Sequence, residues 1–279
     1  MIVLKSKTKK CKKMNSSFFL TSLIVLGLGM GVPCTSHAAI LKVCYDQWAP
    51  MTIFPSQESP ERGFIIDMLE QIYIPKGYKL EYYEVPLARG LDMVQEGLCD
   101  MLPEYLFSKN SDHDFVYAAE VTFSYATAFV VRRGDIWRYQ DIASIQGKRI
   151  ATGPGWDYSS MSVDYQKHID DPKNSSLIEI IAGDDDVIDR VLSMIRDGRV
   201  DVYADNELVL QYALNRLNLK DKLEVVRPGL KKKLVERPIF SRKIPVKKRQ
   251  QLIRIWNEGR ILMKGEQEKT LLKKYNVSF

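Results

Sequence analysis

The chain has 279 residues, 45% of them hydrophobic and 27% charged, with 16 glycines and 12 prolines. That composition excludes a disordered, collagen-like or coiled-coil chain, and the length calls for one large α/β unit or two lobes. The formal charge of +6 raises the question of a polyanion partner, which depends on where the lysines sit.

Six lysines and no acid fall between residues 5 and 13, and Phe18 to Val32 is apolar apart from Thr21, Ser22 and glycines. With small residues at Ser36 and Ala38, this is the pattern of a secretory signal peptide cleaved after Ala38. The apolar run of about 15 residues is short of the roughly 20 that span hydrocarbon. Pro33 before Cys34 argues against lipidation. Removing residues 1–38 leaves 241 residues with 35 basic against 35 acidic side chains, since the leader holds six of the 41 Lys+Arg and none of the acids. The exported chain is formally neutral, which withdraws the case for nucleic acid. Cys44 and Cys99 remain. An even pair in an oxidising compartment favours a disulfide, with two buried free thiols as the other reading.

From Leu41 the chain alternates β-rich runs with helical spacing. Leu41–Tyr45 reads as a strand, Gly63–Ile74 as a helix, Lys79–Val85 as a strand, Ala88–Gln95 as a helix capped by Gly97, and Cys99–Leu102 as a strand. After the β-rich run Thr127–Arg133 the order returns. Strand Arg149–Thr152, helix Ser159–His168, strand Ile178–Ile181, helix Asp186–Arg196 capped by Gly198, and strand Val200–Tyr203 follow. Asp184–Asp186 suits the helix start there, and Asp157 reads as a helix cap. Met93 to Asp100 parallels Met194 to Asp201, one helix-glycine-strand junction in each half. Leu223–Val226 and Pro238–Ser241 lead back, and Val246–Met263 and Gln267–Lys274 are helical. Strand-helix-strand repeats predict parallel sheets flanked by helices, in two lobes joined by a hinge. The expected borders are residues 39–131 plus 227–279 for lobe one and 132–226 for lobe two. A ligand cleft belongs between them, at the carboxyl ends of the strands.

The order of elements, with Leu41–Asp46 and Trp48-Ala49-Pro50, Gly63–Leu69, Gly97–Asp100, Asp114-Phe115, Gly147–Ala151 and Asp197–Asp201, resembles the bacterial extracellular solute-binding proteins of family 3. The resemblance covers nearly all of the exported chain. It implies an α/β, two-lobed type II periplasmic-binding fold and a periplasmic monomer. It also implies a cleft that closes on a small solute and delivery of that solute to an inner-membrane ABC permease, as in amino-acid transport. It implies no cofactor, metal or enzymatic activity. The family's carboxylate-binding arginine falls at Lys109, which keeps the charge and loses the two-pronged fork. Its hydroxyl-bearing helix start falls at Gly153–Tyr158, and its ammonium-binding aspartate at Asp205 or Asn206. The clamp for an ordinary amino acid is thus altered. Tyr45, Trp48, Tyr105, Phe123, Trp156 and Tyr158, with Asp46, Asp157 and Asp205, suit a cationic or aromatic solute. Two other readings stand beside this one: a cyclohexadienyl-dehydratase-like cleft enzyme using Glu104, Asp205 and Glu207, and an accessory protein of a periplasmic dehydrogenase or sensor. Only His113 and His168 remain in the exported chain, and no metalloprotease, nucleophile-elbow or P-loop motif is present.

Overall fold

A computed structural model describes residues 38–57, 59–106, 113–183, 187–228 and 233–275. The expected signal peptide and the Asp184–Asp186 cluster lie outside the described residues. Ala38 to Phe279 forms one compact unit.

Strand β1 (Ala39–Tyr45) is followed by α1 (Phe64–Tyr73), β2 (Tyr78–Glu84), α2 (Leu87–Glu96), β3 (Met101–Leu106), β4 (Phe115–Tyr117) and β5 (Phe123–Arg132). Next come β6 (Ile150–Thr152), α3 (Val163–Asp170), β7 (Ile178–Ile180), α4 (Val187–Arg196), β8 (Val202–Asn206), α5 (Glu207–Arg216) and β9 (Leu223–Val226). The chain closes with β10 (Lys233–Ser241), α6 (Val246–Met263) and α7 (Glu266–Lys274). The strand order is β2-β1-β3-β10-β5-β8-β6-β7, with β4 on β10 and β9 on β5. The outer pairs β1–β2, β1–β3, β6–β7 and β6–β8 are parallel, as strand-helix-strand crossovers require. The middle is antiparallel. Phe123 to Ala126 of β5 pairs with β10, and from Thr127 onward the same strand pairs with β8 and β9.

Helix α1 buries seven of its ten residues, and Tyr73 donates a hydrogen bond to the Leu252 carbonyl of α6 at 3.0 Å. Trp256 of α6 is fully buried, its indole N–H meeting the Glu120 carbonyl at 3.0 Å. The C-terminal helices thus cover the first half of the sheet, as their amphipathic spacing predicts.

Helix α3 starts four residues later than its periodicity suggests. Ser162 caps it by accepting from the Tyr165 N–H at 3.2 Å, whereas Asp157 accepts only from Ser159 N–H, 2.7 Å away, inside the preceding loop. Helix α5 continues directly from β8 and is not among the elements predicted above, although Asn206 and the spacing of Val209, Leu210, Ala213 and Leu214 mark it. Asn206 is its cap, accepting from Leu208 N–H at 2.9 Å.

The two similar junctions are built alike. Gly97 and Gly198 both cap their helices with φ of 81° and 71°, a region that a side chain makes costly. Leu98 N–H meets Met93 O, and Arg199 N–H meets Met194 O. Asp100 and Asp201 then reach the neighbouring strand in the same way. Each backbone N–H donates to the carbonyl of Lys42 or Arg149, and each carboxylate accepts the N–H of that same residue, at 2.9 and 3.0 Å. Asp100 is 3% exposed and also holds Lys248 at 2.7 Å. Asp100→Ala strands the Lys42 N–H and the Lys248 ammonium together. A loss of about 3 kcal/mol in urea unfolding is expected.

Candidate ligand-binding site

β1 and β3 run one way and β6 and β8 the other, because β3, β10, β5 and β8 are successively antiparallel, and the segments at the carboxyl ends of both pairs meet at one cleft. A cleft of about 810 Å3, counted out to its mouth, opens there. Asp46, Gln47 and Trp48 enter from the end of β1, Glu104 to Leu106 from the end of β3, and Gly155 to Tyr158 from the loop after β6. Tyr125 and Thr127 of β5, Ala204 and Asp205 of β8, Leu234 and Glu236 of β10, and Leu87 at the start of α2 complete the wall.

Local packing aims these groups. A Cβ on Gly153 would stand 2.5–2.8 Å from the Trp156 ring, so only glycine lets that indole fold back over the end of β6. There it leans on Tyr203, ring centroids 5.7 Å apart. Trp48 packs edge-on against Tyr125 and donates its indole N–H to Asp205 at 3.1 Å, tying the segment after β1 to β8. Asp205 also accepts from Asn206 N–H at 2.6 Å and from the Tyr203 hydroxyl.

Besides Asp157, four carboxyls share this space, and none of the four forms an ion pair with a described residue. Burial pushes Asp46 up to about 7, and the Asp205 charge adds to the effect. Burial lifts Asp205 to about 6 against the three donors that hold its charged form. Burial lifts Glu236 to about 8 against a hydrogen bond with Tyr125, and the Asp46 and Asp205 charges add to the rise. Burial, with the charges of Asp46 and Glu236, holds Glu104 well above the carboxylate range. Such a cluster is poised to exchange protons for a cation.

Asp46, Trp48, Tyr105, Trp156, Asp157, Tyr158 and Asp205 line the cleft together. Three expected residues do not. Tyr45 points into the core, donating to Glu84 at 2.9 Å and accepting from Arg62. Phe123 stacks behind Tyr125 at 5.9 Å, and Asn206 is spent on capping α5. Lys109 lies outside the described residues. Glu207 of the enzymatic reading does not line the cleft; Arg227 grips it at 2.8 and 2.6 Å. His168 is buried beside Asn174, and neither His113 nor His168 lines the cleft. Sequence reasoning missed Glu236 because it begins the strand at Pro238. The signal was available, since Leu234, Glu236 and Pro238 share the inward phase of β10.

No protein-family model matches the chain, and no curated protein matches it. Solved structures do. An ancestral arginine-binding protein bound to arginine aligns with a TM-score of 0.68 at 15% identity, over 86% of this chain and 99% of its own. A histidine kinase sensor domain similar to periplasmic binding proteins gives 0.69 at 13% identity, over 86% and 96%. A structure from work on glutathione import through the cystine ABC importer of Streptococcus mutans gives 0.70 at 14%, over 86% and 96%. The chain therefore has the type II periplasmic-binding-protein fold.

Proposed function

We propose that this protein is a periplasmic receptor for a small cationic or aromatic, amino-acid-like solute, handing it to an ABC permease in the inner membrane. The observation that carries this reading is the cleft itself: four mutually close carboxyls and a set of aromatic rings at the strand ends of a fold whose solved examples are mainly binding proteins. Residues 39–131 with 227–279 form one lobe and 132–226 the other. Closure bends the chain at β5 and between β9 and β10, because only these segments join the two halves. The Trp48–Asp205 hydrogen bond joins the proposed halves, and closure is expected to preserve it. Among the described residues no helix is long and apolar enough to cross a membrane, so the permease contact falls on the receptor's surface.

A ligand that binds only the folded state at 100 times its Kd adds about 2.7 kcal/mol. A thermal-shift screen across amino acids, amines, polyamines and sugars is therefore expected to give at least one rise of about 5–11 °C. No rise with any solute, and no change in scattering radius, contradicts the receptor reading.

A further inference from the structure

The cleft has open acceptors on one side of a ligand's charge balance and, among the described lining residues, only neutral donors such as the Thr127 and Tyr158 hydroxyls on the other. Glu104 and Glu236 are 5% and 6% exposed, and the Oε2 atom of each has no hydrogen-bond partner. Glu104 Oε1 meets the Thr52 hydroxyl at 3.5 Å, and the oxygens of Asp205 are already held by Trp48, Tyr203 and Asn206. Unpartnered buried carboxyl oxygens facing a cavity are costly until a ligand donor meets them. These two, on β3 and β10, are where a ligand's N–H groups belong.

A ligand carboxylate finds no comparable reception. Among the described lining residues there is no Lys, Arg or His. Helix α3 sends no residue into the cleft, and its first turn carries Asp164. The loop that lines the cleft in its place brings Asp157, a further carboxylate. The acids are also not grouped to hold a metal ion among the described residues. What remains is an organic cation whose carbon body lies on the rings of Trp48, Tyr125 and Trp156.

We infer that the ligand is an organic amine lacking a carboxylate, its ammonium seated on Glu104 and Glu236. This rests on the receptor reading and narrows its solute class. Isothermal titration calorimetry on the purified protein tests it with three matched pairs, each differing only by the carboxylate: lysine and 1,5-diaminopentane, arginine and agmatine, tyrosine and tyramine. At least one amine is expected to bind about tenfold or more tightly than its amino acid. Glu104→Gln and Glu236→Gln keep the side-chain volume, and each is expected to weaken that amine by about tenfold or more while circular dichroism stays unchanged. Lys109→Met is expected to change the affinity by less than about twofold. An amino acid that outcompetes its amine, a loss of binding in Lys109→Met, or binding confined to carboxylates and uncharged solutes overturns the inference and leaves the receptor standing. Silence from all six probes and from the wider solute screen overturns both.

Discussion

Removing the Cys44–Cys99 bridge is expected to lower the melting temperature by about 8–16 °C. The two cysteines are fully buried, their Cα atoms lie 5.9 Å apart, and they close a loop of 55 residues. Constraining a loop of that length in the unfolded chain stabilises the fold by about 4 kcal/mol. For a domain of this size each kcal/mol moves the transition by about 2–4 °C. The bridge avoids the difficulty of linking two residues within adjacent parallel strands. Cys99 sits in the turn ahead of β3, whose Met101 pairs with Val43, so its backbone is free of the ladder. Cys44 stands two residues before Asp46, so losing the bridge should also loosen the strand end that delivers Asp46 and Trp48 to the cleft. Calorimetry of Cys44→Ala/Cys99→Ala against the oxidised parent measures the effect. An unchanged transition would show that the bridge contributes nothing to stability.

The empty protein is expected to lose stability as pH rises from about 5 to about 9. Asp46, Asp205 and Glu236 carry folded-state values of about 7, 6 and 8, and Glu104 is raised as well. In the unfolded chain such groups titrate near 4. Between these limits the folded state binds more protons than the unfolded state, so the slope of stability with pH is negative. The contribution is fully present below about pH 4 and is lost progressively from there as pH rises through the folded values of about 6 to 8. About three pH units of differential protonation at a single site already amount to roughly 4 kcal/mol, so the loss is at least of that order. A cation reverses the sign of the demand. As the carboxyls ionise its affinity rises, and at pH 7 its binding releases protons, measurable as a dependence of the binding enthalpy on the buffer. Melting curves recorded without ligand at pH 5, 7 and 9 test the first part, and Glu236→Gln should flatten them. A flat profile for the parent contradicts the proposed protonation of the cleft.

Much of this was legible beforehand in local terms. The strand and helix periodicities, the glycine caps and the shared junction phrase all describe contacts within a few residues, and the folded junctions reproduce one another bond by bond. Asp205 near the end of β8, and Trp156 and Asp157 in the loop after β6, occupy positions that the strand order alone directs to the cleft. Tyr45 and Phe123 went elsewhere for reasons with no local signature. Arg62 and Glu84 claim the first and Tyr125 covers the second, whereas Asn206 caps helix α5, whose apolar spacing does mark it.

By itself the chain determined its alternating α/β elements, its two similar junctions and the formal neutrality of residues 39–279, since these depend on spacing and composition. The tertiary structure alone decided the character of the cleft. Inserting β10 between β3 and β5 brings Glu236 to the same wall as Glu104, with Asp46 and Asp205 arriving from opposite halves. Burial and mutual charge are sums over neighbours from distant parts of the chain, so four ordinary carboxyls became one buried acidic cluster only when the strands were placed side by side.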